Sequence, residues 1–196
     1  MASTALIFDL DGTLWDSRGF YAKAISLGGG ELSGAMQCLM EGMPVARLLR
    51  EAGILPPIFA KFVGQSTDDL LLYPGVQNTL HRGKAKNTPM GVVTNLPEWI
   101  AKPMLDATSL SGFFGTVVTW GRCRVSKPSP RPLFQALEDL NVSPSQSVWY
   151  VGDLAADSQT ARAARVSFAW ASYGYSPDAL VEADRILKSF SDVLTL

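Results

Sequence analysis

The chain has 196 residues, 47% of them hydrophobic and 18% charged, with a net charge of -1 at pH 7; this is enough apolar material for one folded domain plus a small insertion, and too much for a disordered chain. No run of Lys or Arg is present to neutralise nucleic-acid phosphates or anionic lipid, and the two cysteines, Cys38 and Cys123, have neither disulfide-framework nor zinc-ligand spacing. No apolar stretch approaches the ~18 residues of a membrane span and the N-terminal stretch lacks a basic leader, so the expectation is a soluble cytoplasmic protein with no nucleic-acid or membrane partner.

In chain order, "TALIFDL" (4–10) opens as an unbroken apolar run, the pattern of a strand buried on both faces. From 16 to 73 the pattern changes to helical pieces, "YAKAISL", "GAMQCLM", "VARLLREAG" and "IFAKFV", punctuated by Gly28 to Gly30, Gly42, Pro44, Pro56 and Pro57, with no strand expected. "YPGV" (73–76) marks the return, followed by a helix that carries His81. Strands are then predicted at "PMGVVTN", "GTVVTW", "QSVWYVGD" and "VSFAWAS", with helices at 97–107, 130–140 and 157–164 between the later ones. That alternation predicts an α/β protein with a doubly wound parallel sheet and right-handed crossovers. The domain reading is a core from 1–15 and 74–196, with a small all-helical insertion at 16–73 after the first strand.

The chemistry gathers where predicted strands end. Asp9 and Asp11 leave the first strand at i and i+2, and side chains so spaced on extended backbone point the same way. In an open α/β sheet the carboxyl ends of the strands form the ligand crevice, which makes two convergent carboxylates a metal ligand or nucleophile paired with a general acid/base. A calcium loop also begins D-x-D, but it would need Gly at Leu14 and Glu at Phe20. Helix capping would explain one Asp, not two followed by Gly12 and Thr13. The next strand ends in Thr94 and Asn95, a hydroxyl and an amide able to hold an oxyanion. Lys127 follows in "VSKPSP", and "VGDLAAD" adds Asp153 and Asp157. Each alone has an ordinary structural use as cap, solvated lysine or helix N-terminal charge; their succession at strand ends argues for one site.

D-x-D-G-T, then Thr after a strand, Lys-Pro, and G-D-x-x-x-D resemble the four-motif signature of the haloacid dehalogenase superfamily, and "AWASYGY" with "SFSDVL" is similar to its phosphoglycolate phosphatase-like branch. The resemblance spans nearly the whole chain. Arg165 stands where many relatives have glycine after "ARAA", and the insertion is shorter than many caps of this kind. The resemblance implies a Rossmann-like core with a helical cap, and a Mg²⁺-dependent phosphatase acting on a small phosphorylated metabolite. It further implies Asp9 as the nucleophile that becomes an aspartyl phosphate and Asp11 as general acid and base. Mg²⁺ would be held by Asp9, the Asp11 main-chain carbonyl, Asp153 and Asp157. Phosphate would be bound by Thr94, Asn95, Lys127 and amides near Asp11 and Gly12.

A dehalogenase would have no leaving alkoxide to protonate, so Asp11 favours phosphate; a phosphosugar mutase would keep Asp11 and require a bisphosphate; a silent binding module would not need every catalytic position. In the insertion, "EGMPVAR" (41–47) is the expected place of substrate contacts, with Gly42, Met43 and Arg47 singled out, and Arg50 beside them. His81 and the five tryptophans, Trp15, Trp99, Trp120, Trp149 and Trp170, read as packing residues.

Overall fold

In the computed structural model, which describes residues 4–176 and 181–196, β1 (Ala5–Phe8) lies at the centre of a six-stranded sheet. After it the chain makes a two-residue strand β2 (Trp15–Asp16) and then four helices, α1 (Arg18–Leu27), α2 (Ser33–Met40), α3 (Val45–Glu51) and α4 (Pro56–Ser66). Strand β3 (Leu71–Leu72) pairs antiparallel with β2, Trp15 opposite Leu72 and Asp16 opposite Leu71. The expectation of a strand-free stretch from 16 to 73 is thereby corrected: the insertion is closed at its base by a ribbon too short for any alternating pattern to register.

The rest of the chain alternates. Helix α5 (Val76–Ala85) leads to β4 (Met90–Val93), α6 (Glu98–Ala107) to β5 (Thr116–Val118), and the short α7 (Trp120–Cys123) and α8 (Arg131–Asp139) to β6 (Val148–Gly152). Helix α9 (Ala155–Ala164), β7 (Ser167–Ala171) and β8 (Arg185–Leu187) complete it. Spatial order is β5-β4-β1-β6-β7-β8, every pairing parallel. The strand order therefore reverses beside β1, and Asp9 leaves the sheet at that switch point. Strand β8 was not expected from sequence: it is a three-residue edge strand whose Arg185 and Ile186 are exposed, so it lacks the buried run that reveals the others.

Alternation along β1 sorts the core. Leu6 and Phe8 join one apolar cluster with Leu80 of α5, Ile100 and Met104 of α6 and the insertion helices, whereas Ala5 and Ile7 join the other with Leu133 and Leu137 of α8 and Ala161 of α9. The insertion shares the first cluster rather than forming a separate one. Phe20 and Tyr21 of α1 meet Phe59 of α4, and Phe59 stands edge-on to Trp99 of α6 at 6.2 Å, tying insertion to core. Arg165 ends α9 with φ 59°, a left-handed cap position that glycine fills with least strain. His81 packs edge-on against Phe113 at 4.7 Å.

Candidate active site at the strand ends

Asp9 is buried one residue beyond β1, held by its N–H to the Val151 carbonyl at 2.9 Å. Gly12 closes the turn with φ 75°, and a Cβ there would overlap the Asp153 carboxylate, so the glycine lets the loop backbone reach the end of β6. Asp153 and Asp157 are fully buried, and Asp9, Asp153 and Asp157 each present a carboxylate oxygen within 4.8 Å of the others. Lys127, also buried, answers them: its Nζ lies 2.8 Å from Asp9 Oδ1 and 2.6 Å from Asp157 Oδ1. Three carboxylates facing one ammonium leave an excess of negative charge in a water-poor place.

The titration behaviour follows from that. Burial pushes the Asp9 carboxyl up to about 7, with Lys127 opposing and Asp157 adding to the shift. Burial, reinforced by the charges of Asp157 and Asp9, holds the Asp153 carboxyl well above the usual carboxylate range. For Lys127 burial alone would favour the neutral amine, but Asp157 and Asp9 outweigh it and keep the ammonium charged. Asp11 is turned elsewhere: its Oδ1 accepts from Trp15 Nε1 at 2.8 Å and its Oδ2 from the Tyr21 hydroxyl at 3.3 Å. Burial raises the Asp11 carboxyl, and hydrogen bonds from Trp15, Ser17 and Tyr21 pull it back.

Thr94, buried at the end of β4, accepts from the Leu96 N–H at 3.2 Å through Oγ1, and Asn95 Oδ1 accepts from the Lys127 N–H at 2.8 Å, so Asn95 anchors the loop that carries the lysine. Asp9, Asp11, Thr94, Asn95 and Lys127 line a cavity of about 50 Å³ together with Gly42 and Met43 from the insertion. Gly12 stands behind them, against Asp153. Arg47 is exposed and outside that lining, its Nη1 donating to Met43 Sδ at 3.4 Å; Arg50 is exposed as well.

Several supporting residues escaped the sequence. Trp15 and Tyr21, read as packing or not at all, hold Asp11. Tyr150 sets its hydroxyl 2.9 Å from Asp157 Oδ1. Tyr175 donates its N–H to Asp153 Oδ2 at 2.8 Å, while its hydroxyl accepts from the Ser17 N–H at 2.7 Å, joining the carboxylate cluster to the start of the insertion. The one available signal was "ASYGY" itself, a polar and aromatic stretch at the carboxyl end of a strand.

A divalent cation suits this donor set. The grouped ligands are all carboxylate oxygens with no His or Cys among them, which fits a hard ion such as Mg²⁺, and the uncompensated charge just described is what such an ion would offset.

Residues 6–171 match the family model described as haloacid dehalogenase-like hydrolase. The phosphoglycolate phosphatase of Escherichia coli (strain K12) is 32% identical over 145 residues, which cover 72% of this chain and 57% of that protein. The chain thus spans little more than half the length of that relative. The phosphoglycolate phosphatase of Pseudomonas syringae pv. syringae (strain B728a) is 32% identical over 191 residues, covering 87% and 70% respectively. A solved putative phosphoglycolate phosphatase from Lactobacillus plantarum superposes with a TM-score of 0.81 at 26% identity, covering 100% of this chain and 99% of that one.

Proposed function

The chain belongs to the haloacid dehalogenase-like hydrolases, and from that premise we propose that it hydrolyses small phosphate monoesters through covalent phosphorylation of Asp9, with Mg²⁺ as cofactor. The observation that carries this reading is the buried Asp9 carboxylate, paired with Lys127 and opening onto a cavity that Asp11 and Thr94 also line.

In the first step an Asp9 oxygen bonds to phosphorus while the bond from phosphorus to the ester oxygen breaks, and Asp11 gives its proton to the departing alkoxide. In the second, water loses a proton to Asp11 and attacks phosphorus, which returns the Asp9 carboxylate and frees phosphate. The Thr94 hydroxyl, the Lys127 ammonium and amides near Gly12 bind the transferring oxygens, and such positioning with charge stabilisation is most of what phosphoryl transfer requires. Mg²⁺, held by Asp9, the Asp11 carbonyl and Asp153, would neutralise developing phosphate charge. Asp157, whose Oδ2 accepts from the Leu154 N–H at 3.0 Å and whose Oδ1 faces Lys127, serves chiefly to orient that set. Residues 16–73 act as the cap: they wall the cavity with Gly42 and Met43 and exclude water and bulky substrates.

Phosphate release from a panel of monoesters tests the proposal. Turnover should vanish in excess chelator and return with Mg²⁺. Undiminished release in chelator would remove the metal from the mechanism, and turnover that appears only with added bisphosphate would make the chain a mutase.

A further inference from the structure

The wall facing the carboxylates is apolar. Leu39, Met43, Val45 and Leu48 contribute it from the insertion, and Leu96 and Leu154 from the core. Among the described residues that line the cavity, Lys127 is the one cation, and its ammonium is already shared between Asp9 and Asp157. Arg47 touches the wall only through the sulfur of Met43, at 3.4 Å, Arg18 is paired with Asp16 beside Tyr175, and Arg50 lies 3.9 Å from Glu51; none of the three is among the lining residues.

Resting on the phosphatase reading above, we propose that the substrate class is phosphate monoesters with an uncharged, apolar leaving group, and that Leu39, Met43 and Leu48 select it against esters carrying a second anion. A carboxylate on the leaving group would give up its hydration against these side chains with no cationic side chain in that wall to receive it, and it would face the Asp11 carboxyl. An alkyl group instead replaces water on a surface that gains nothing from being wet. Discrimination here is repulsive as much as attractive. By this account 2-phosphoglycolate, with its second anion, is a poor substrate of this chain.

The test compares kcat/KM, with Mg²⁺ present, for methyl, n-propyl and p-nitrophenyl phosphate and for 2-phosphoglycolate. The expected result is a rise of roughly fifteenfold from methyl to n-propyl for the two added methylenes, with 2-phosphoglycolate at least tenfold below n-propyl. Equal or faster turnover of 2-phosphoglycolate overturns the substrate class while leaving the phosphatase reading intact; no phosphate release from any ester, p-nitrophenyl phosphate included, overturns both. Leu48→Arg should raise the ratio of 2-phosphoglycolate to n-propyl phosphate turnover at least tenfold by supplying the missing cation. Leu48 is buried, so Met43→Lys, at a half-buried position, carries the same measurement should the first variant not fold. An unchanged ratio in a folded variant would show that these side chains do not choose the leaving group.

Discussion

The strand ends of the sheet and the four-helix insertion face each other across one cavity and contribute different kinds of atoms. From β1, β4, β6 and the Lys127 loop come Asp9, Thr94, Asp153 and Lys127, all buried and all held by named hydrogen bonds or ion pairs. From the insertion come Leu39, Gly42, Met43, Val45 and Leu48, with the Tyr21 hydroxyl as its polar contribution. Polar groups in a dry site must be placed to a fraction of an ångström, so they grow from the most rigid element available. A wall that only excludes water and fits a shape can be built from any apolar side chains of suitable size.

If that division is right, the largest losses come from the strand ends. Asp9→Asn should lower turnover by about 10³-fold or more, because an amide is a far weaker nucleophile; a folded variant with the rate of the native chain would remove Asp9 from that role. Excess chelator should abolish activity and also lower the melting temperature. A ligand at 100 times its dissociation constant stabilises by about 2.7 kcal/mol, equivalent to roughly 5–10 °C for a chain of this size. A melting curve identical with Mg²⁺ and with chelator would show that the carboxylate cluster does not bind it. Asp11→Asn should cost about 10²–10⁴-fold for alkyl esters and much less for p-nitrophenyl phosphate, whose leaving oxygen needs little protonation. Equal losses across such a series would sink acid catalysis by Asp11.

How legible each region was in the sequence follows the same division. The β1, β4, β5, β6 and β7 strands announced themselves by unbroken apolar runs, and Asp9, Asp11, Thr94, Lys127, Asp153 and Asp157, each of which alone has an ordinary structural use, stood out by their succession at or near the ends of those runs. The structure brings Asp9, Lys127, Asp153 and Asp157 into one cluster, with Asp11 beside it. The ribbon of β2 and β3 and the edge strand β8 were hidden because two or three residues show no period, and Ile186 is exposed. Trp15, Tyr21, Tyr150 and Tyr175 were hidden for another reason: one aromatic residue has a packing explanation everywhere, and only coordinates reveal which hydroxyl or indole N–H faces a carboxylate. The insertion was legible in part: Gly42 and Met43, singled out from "EGMPVAR", line the cavity. Arg47 drew attention as a charge; it is exposed and meets the cavity wall through Met43 Sδ, while Leu39 and Leu48, unremarkable in sequence, line the cavity.

An intermediate effect is expected where the two regions touch. Gly42 has φ 65°, and a Cβ on it would overlap Leu154 Cδ1 of the core. Gly42→Ala should therefore strain the backbone by about 1 kcal/mol and hold the insertion off the strand ends, lowering kcat/KM about tenfold. Leu154→Ala removes the obstructing atom and should recover most of the closure loss in the double variant, the non-additivity that contact predicts. If the double variant were as slow as the product of the two singles, the Gly42–Leu154 approach would not govern closure.

The smallest effect belongs to Tyr21, where the insertion departs from its apolar rule. Its hydroxyl donates to Asp11 Oδ2 across 3.3 Å, a long bond, while the Trp15 indole holds the other oxygen at 2.8 Å. A neutral hydrogen bond is worth about 0.5–1.5 kcal/mol net, and the length of this one places it at the low end. Tyr21→Phe keeps the ring stacked with Phe59 at 6.1 Å and removes only the donor. Turnover of alkyl esters should fall two- to fivefold, and p-nitrophenyl phosphate should be almost indifferent, since in the proposed mechanism the lost contact positions the group that protonates the leaving oxygen. The decisive measurement is the same substitution made on Asp11→Asn. With the acid gone there is nothing left for Tyr21 to position, so the second change should cost no further activity; a full two- to fivefold loss in that background would mean that Tyr21 acts on the substrate directly, and the insertion would then be more than a wall.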